Sequence, residues 1–347
     1  MSTPPTDPKF PPAERPVRPR RATVNDVARI AGVSAMTVSR AVNKPDQVPA
    51  ATLEKVRKAI AATGYVPNLL AGGLRSNKSR LVAAVIPTLS GPVFLETVES
   101  LTAALAAKGY QLMLGQSGYK ESREDDLLDA IIGRRPDGIV LTGISHTDEG
   151  RQRLLASGIP IVETWDLTPD PLDMLVGFSH VDVGRAVCQF LHDHGRRRIA
   201  LIGGDDERSH RRNAAFVQRA LELGHAEPIV HLVPAPTTLA SGRRGLRTLL
   251  EQDPATDAIF CSSDLLALGV LIEAQSQGID VPGRLGVMGF GDLSMSGDLH
   301  PALTTVRVDG SRIGQQAAQF IVDRAEGRDV ATRVVDIGFS IVERDSV

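Results

Sequence analysis

The chain of 347 residues has two cysteines, Cys188 and Cys261, and no cysteine–histidine cluster at metal-ligand spacing. Both cysteines sit in apolar surroundings and read as small buried hydrophobes in a reducing cytoplasm. No disulfide framework and no metal site are expected. No run of 18 apolar residues occurs, which excludes a spanning helix and a membrane partner. The first residues are basic and proline-rich, without the apolar core of a secretory signal. That argues against an exported solute-binding protein and for the cytoplasm. Enzyme signatures are missing too. There is no nucleophile elbow or phosphate loop, and Gly203-Gly204 and Gly289–Gly291 lack the G-x-G-x-x-G spacing of a dinucleotide fingerprint. No cofactor and no catalytic residue are expected.

The formal net charge of −2 hides a divided molecule. Residues 1–80 hold 14 Lys/Arg against 5 Asp/Glu, whereas residues 81–347 hold 25 against 36. A basic head on an acidic body suits a polyanionic partner for the head. Residues 1–22 contain seven prolines and almost no large apolar residue, so a disordered tail is expected there. From Thr23 to Asn43 the pattern is two short helices joined at Gly32. Val24, Val27, Ala28 and Ala31 make one small apolar face. Ser34 is a good N-cap for the second helix. Val38 and Val42 are expected to point inward. Ala35, Met36, Thr37, Ser39 and Arg40 then face outward. This is a helix-turn-helix, which reads double-stranded DNA and places the protein at the nucleoid. Ala35, Met36 and Arg40 are the candidates for base edges. Thr23, Thr37 and Ser39 suit phosphate oxygens, contacts that position without specifying, and Asn43 is a further DNA-binding candidate.

After residue 80, short apolar runs alternate with amphipathic stretches. Leu81–Ile86, Gln111–Leu114, Gly138–Leu141, Ile159–Val162 and Leu175–Phe178 read as buried parallel strands. A second series follows at Ile199–Ile202, Ile229–Leu232, Ala258–Cys261 and Leu285–Gly289. Strand–helix alternation repeated twice implies two doubly wound α/β subdomains. Ligands in such folds sit outside the carboxyl ends of the strands.

The stretch Thr23–Asn43, together with Ala51–Tyr65 and Gly64-Tyr65-Val66-Pro67-Asn68, strongly resembles the LacI/GalR family of bacterial transcription regulators. The similarity continues through Pro87-Thr88-Leu89-Ser90, Asp137-Gly138-Ile139-Val140, Gly158-Ile159-Pro160, Gly289-Phe290 and Pro301–Val306. It covers nearly the whole chain after residue 22. Gly118-Tyr119-Lys120, Leu141-Thr142, His146-Thr147, Leu172-Asp173 and Val176-Gly177-Phe178 resemble the gluconate-operon repressors within that family. The resemblance implies a helix-turn-helix head at 23–65 and a hinge at 66–80. It implies a body at 81–347 that is similar to type I periplasmic binding proteins. The first subdomain would comprise about 81–178 and 308–328, and the second about 179–307 and 329–347. Chain crossings would fall near 179, 307 and 329. In the hinge, Asn68, Ala71 and Leu74 match family positions that contact DNA, with Leu74 as a minor-groove wedge. Gly72 and Gly73 each cost such a helix about 1 kcal/mol relative to alanine. Hinge order is therefore expected only on DNA.

The same resemblance implies an effector in the cleft between the subdomains. Candidates taken strand end by strand end are Ser90 and Phe94, Tyr119 and Lys120, His146 and Thr147, then Glu163, Trp165 and Asp166. From the second subdomain come Arg212, Ser263, Asp264 and Asp292. Arg212 matches the family's ligand-binding arginine. Ser263-Asp264 matches an Asn-Asp pair. Gly291 stands where sugar-binding relatives often carry aspartate, which fits a negatively charged ligand whose carboxylate or phosphate Lys120, His146, Arg211 and Arg212 could meet. Some of these residues have plainer readings: a packed core ring for Trp165, a structural role for His146, a helix cap for Asp264. The expected function is a ligand-responsive repressor of sugar-acid genes, acting as a homodimer on operator DNA. Its effector would be gluconate, a relative or a phosphate. Other carbohydrates, or a purine-type co-repressor, remain alternatives.

Overall fold

A computed structural model describes residues 22–66, 78–119 and 121–347, with backbone alone at 121–123. The chain divides into two compact units between Asn77 and Lys78. Among its described residues the first holds three α-helices, α1 (Val24–Ala31), α2 (Ala35–Asn43) and α3 (Ala50–Thr63). Their apolar stripes meet in a small core of Val27, Ala28, Val38, Ala41, Val48, Val56 and Ala59.

The second unit contains two six-stranded sheets. In the first, β1 (Leu81–Ile86), β2 (Gln111–Gln116), β3 (Gly138–Thr142), β4 (Ile161–Thr164) and β5 (Met174–Gly177) are all parallel, in the order β5-β4-β3-β1-β2. Helices α4 (Leu95–Ala107), α5 (Glu121–Ile132) and α6 (Asp148–Ser157) connect them. The period of two along each strand divides the side chains between the faces. On β1, Val82 and Ala84 join the core that includes Leu101 and Leu105 of α4. Ala83 and Val85 join Leu128 and Ile131 of α5 and Leu154 of α6. Strands covered on both faces need no polar alternation, which is why they read as continuous apolar runs.

The second sheet repeats the plan with β6 (Ile199–Gly204), β7 (Ile229–Val233), β8 (Ala258–Cys261), β9 (Gly286–Phe290) and β10 (Thr304–Arg307), in the order β10-β9-β8-β6-β7. Helices α7 (His180–Asp193) and α8 (Glu207–Glu222) cover one face, where Leu201 and Phe260 meet Val187 and Phe216. Helices α9 (Leu239–Gln252) and α10 (Asp264–Ser276) cover the other, where Ile202 and Ile259 meet Leu246 and Val270. Cys188 and Cys261 lie inside these layers, and burial pushes both thiols up.

After β10 the chain returns to the first sheet as α11 (Gly310–Ala325) and β11 (Val334–Asp336). β11 pairs in parallel with β5, and only then does β12 (Ser340–Val342) pair antiparallel with β10. The last passage between halves therefore falls between Asp336 and Ser340, later than the position near 329 expected from the sequence. Val334-Val335 is too short an apolar run to announce a strand. The expected hinge also gives up its end. The backbone N–H groups of Ser79 and Arg80 each donate to the Asp137 carboxylate at 2.8 Å, so these residues are tied to the body. No helix among the described residues is long and apolar enough to cross a membrane.

Candidate functional site

In the head, local hydrogen bonds decide which polar side chains are free. Thr23 and Asp26 cap α1 reciprocally: Thr23 N–H and Oγ1 donate to Asp26 Oδ2 at 2.9 and 2.7 Å, and Asp26 N–H donates to Thr23 Oγ1. Gly32, at φ 66°, makes the turn. Ser34 Oγ accepts from Thr37 N–H at 3.1 Å and pairs with Thr37 Oγ1. Asn43 Nδ2 donates to Ser39 O at 2.9 Å. Thr23 and Thr37 thus take part in the helix N-caps, and Asn43 bonds back to the preceding turn. Ala41 lies in the core with Val38 where Val42 was expected, because an i, i+3 pair fits this narrow stripe better; Val42 is half-buried. Ala35 packs partly on the same core. Met36 is 65% exposed, and the exposed Arg40 has no side-chain partner among the described residues. Those two side chains of α2 are exposed and uncommitted among the described residues, and Asn43 is exposed as well. Asn68, Ala71 and Leu74 lie outside the described residues.

In the body, the carboxyl ends of the two sheets open on one cleft. Phe94, Tyr119 and Trp165 line it from the first half, and Arg212, Ser263 and Asp264 from the second. The sequence reading missed Thr88, His180, Arg208, Thr237 and Phe290, which also line it. About 710 Å³ there is free of protein atoms, part of it open to solvent.

The aromatic wall is built into the core. Trp165 is buried at a φ of 66°, which is unusual for a bulky residue. Three contacts hold it. Its Nε1 donates to Thr97 Oγ1 at 3.1 Å, its carbonyl accepts from His180 Nε2 at 2.9 Å, and Phe94 meets it edge-to-face at 5.1 Å. Trp165 is therefore a packed ring that presents only part of itself to the cleft.

Arg212 has the most demanding environment. The residue is 4% exposed, and its guanidinium lies 4.3 Å from the Phe290 ring centroid. Nη1 donates to His180 Nδ1 at 2.9 Å and Nη2 to Ser209 Oγ at 3.2 Å. Nε has no partner, and no carboxylate of a described residue lies within ion-pair distance. Burial pushes the guanidinium down to about 10, so it is still charged at neutral pH. His180 is the counterpart: burial, then Arg212, holds its imidazole well below the usual range. It stays neutral, with its proton on Nε2. Arg208, four residues before Arg212 on α8, lies over the Phe94 ring at 5.3 Å, and its Nη1 reaches Thr142 O at 3.4 Å. Tyr119 sits opposite, with burial pushing its phenol up. Ser263 caps α10 and shares a 2.9 Å hydrogen bond with Thr237.

Asp264 faces the cleft but is already satisfied. Its Oδ2 accepts from Leu293 N–H and Ser296 Oγ, and its Oδ1 from Thr305 Oγ1. It anchors the 293–296 turn and β10, a task distinct from the helix cap, which Ser263 supplies.

Six other described sequence candidates stand apart from this lining. Ser90 is exposed beyond Thr88. Lys120 lies outside the described residues. His146 is gripped by Glu124 Oε1 at 2.7 Å on Nδ1 and Glu163 Oε1 at 3.1 Å on Nε2. Burial alone would lower its pKa, but the two carboxylates raise it to about 9. Glu163 Oε2 also accepts from Leu172 N–H. Thr147 caps α6 and donates to Asp125. Asp166 is closed off by Arg211 Nη1 at 2.6 Å, a bridge between the halves that Ser145 extends through Arg211 Nη2. Asp292 pairs with Arg307 and Arg344. The neighbouring Gly291 sits at φ 129°, where a side chain would be strained, with Val93 3.4 Å from any added Cβ.

Comparison with known proteins agrees with both units. Residues 23–68 match the bacterial regulatory proteins of the lacI family, and residues 188–347 match a periplasmic binding protein-like domain. The HTH-type transcriptional regulator GntR of Pseudomonas aeruginosa is 36% identical over 328 residues, 94% of this chain and 96% of that protein. GntR of Escherichia coli is 31% identical over 95% of this chain and all of its own length. A Lacl family transcriptional regulator from Silicibacter pomeroyi superposes with a TM-score of 0.88 at 33% identity, covering 94% and 99% of the two chains. The lac repressor dimer bound to operator, at 23% identity and a TM-score of 0.80, shares the fold. A head that matches in sequence and a body that superposes over nearly its whole length lead to one assignment: this chain belongs to the LacI family of bacterial regulatory proteins and is a DNA-binding transcriptional regulator, not an enzyme.

Proposed function

We propose that this regulator is a dimeric repressor whose grip on its operator is set by a gluconate-type sugar acid bound between the two halves of the body. The observation that carries the reading is Arg212. A buried cation held by neutral groups is only partly compensated for its lost hydration, and an anion completes the compensation. A planar guanidinium matches a carboxylate fork. The neutral hydroxyls of Tyr119, Thr237 and Ser263 suit a polyol chain, and Phe94 and Phe290 suit its C–H faces. That two relatives are named GntR supports the same class. Coupling between cleft and head is a free energy that works in both directions: operator binding must alter effector affinity by the factor the effector imposes.

The test is fluorescence anisotropy on an operator selected from random duplexes, titrated with gluconate, 6-phosphogluconate, glucose and nucleosides. A sugar acid is expected to shift operator affinity most. If only neutral sugars or nucleosides do so, the reading fails. In the same assay Arg40→Ala is expected to weaken selected operator by about 1–3 kcal/mol, as loss of a bidentate base contact does. Binding to unrelated duplex should change far less. Equal losses on both would assign Arg40 to phosphate.

A further inference from the structure

We propose that Arg208 and Arg212 act together as a clamp on the effector's carboxylate, with Arg208 the residue that discriminates an acid from its neutral isostere. This rests on the sugar-acid reading of the same cleft. The two arginines are i, i+4 neighbours on α8, and both line the cleft. Like charges at that spacing repel, and Arg208 is one of the groups that oppose the charge on Arg212. Among the described residues Arg212 has no carboxylate within ion-pair distance, and Arg208 has only a long ion pair with Asp206. Arg208 Nε stands 4.0 Å from Asp206 Oδ1, while both Asp206 oxygens already accept from Ser209. Among the described residues its one hydrogen bond to the first half is the long one to Thr142 O. Arg212 Nε is buried with no partner. Arg211, between them, is taken by Asp166 and Ser145 and contributes nothing to the cleft. A single carboxylate set between Arg208 and Arg212 relieves the repulsion, fills the orphan donor and gives Arg208 a better acceptor than it has.

The rest of the wall fixes the orientation. Asp264 has its acceptors occupied, and Tyr119, Thr237 and Ser263 are neutral, so among the described lining residues the cations stand together at the α8 end, beside Asp206. The acid group lies at α8 and the hydroxylated chain runs toward Tyr119 and Ser263.

Calorimetric titration of the full chain with gluconate and with gluconamide tests this. Wild type is expected to favour gluconate by at least about tenfold, the worth of one charged hydrogen bond. In Arg208→Gln that preference collapses toward unity because gluconate affinity falls while gluconamide affinity holds within about threefold. Arg208→Lys, which keeps the charge without the fork, recovers part of it. Thermal melting of each variant verifies folding. If Arg208→Gln weakens both ligands equally, Arg208 is a strut between Thr142 and α8 and the clamp is overturned. The clamp alone is also overturned if wild type binds both ligands alike, or if the variant keeps the full preference. If wild type binds no sugar acid from a panel that includes 6-phosphogluconate, the clamp and the underlying reading fall together.

Discussion

Arg212→Met is expected to cut affinity for a gluconate-type acid by two orders of magnitude or more while the protein still folds. The guanidinium lies on Phe290 and is held by His180, Ser209 and Ser262 O, which leaves two of its roughly five N–H groups uncommitted, Nε among them. Each hydrogen bond between charged groups in such a site is worth about 1.5–3 kcal/mol. Two of them convert to roughly 100-fold or more in dissociation constant. Methionine keeps the unbranched shape and can rest on the same ring. It also removes a desolvated charge, and such replacements often cost little stability or none. What it leaves behind is the His180 Nδ1 acceptor without its donor, a loss of about 1–3 kcal/mol. The melting temperature should therefore fall by several degrees at most. Calorimetry of gluconate binding checks the affinity. A loss under tenfold would mean that the acid group is read elsewhere, and the sugar-acid assignment would lose its main support.

Much of the fold was legible in the sequence because buried parallel strands are nearly unbroken apolar runs. Leu81–Ile86 and Ala258–Cys261 were bounded to the residue. Helix α6 was not recognised, since only Gly150 and Leu154 of its ten residues are buried and the apolar stripe is correspondingly thin. Its ends were written plainly, however: Thr147 before Asp148-Glu149, and Gly158 after Ser157. Thr147 was read as a ligand contact through its resemblance to the gluconate branch, when local chemistry already offered a capping role.

The cleft divides in the same way. Arg212 was found by its match to a family position, and Phe94, Tyr119 and Trp165 by following strand ends. Arg208 was missed although a helical spacing of four from Arg212 pointed to it. His180 carried no sequence signal, because its importance comes from Trp165 and Arg212, 15 and 32 residues away. Asp166 and Asp292 looked available for the opposite reason. Their partners Arg211 and Arg344 lie 45 and 52 residues on, and only the fold brings them together. An acidic residue at a strand end is a ligand candidate until its cation is located.

His146 supplies the second large effect, and it is one of stability. Its side chain is 4% exposed, between Glu124 and the almost fully buried Glu163. Removing the imidazole leaves Glu163 as a buried charge without a cation, which typically costs 3–5 kcal/mol. His146→Gln keeps hydrogen-bonding capacity but not the charge, so the loss is expected near the lower end, about 3 kcal/mol at pH 6. The pH dependence has a definite sign. The folded-state value is raised from 6.5 to about 9, so the native state binds the proton more tightly than the unfolded chain. The resulting stabilisation is complete below 6.5 and is lost as pH rises through about 9. At 1.36 kcal/mol per unit the shift corresponds to about 3 kcal/mol, which agrees with the mutational figure. Urea unfolding of wild type and His146→Gln from pH 6 to pH 10 should therefore give two curves that start about 3 kcal/mol apart and converge at the alkaline end. Other groups titrating in that range act on both proteins and cancel in the difference. Parallel curves would show that the imidazole is not protonated between its carboxylates. In that case His146 would hold only one of them, and its return to the list of effector contacts would be justified.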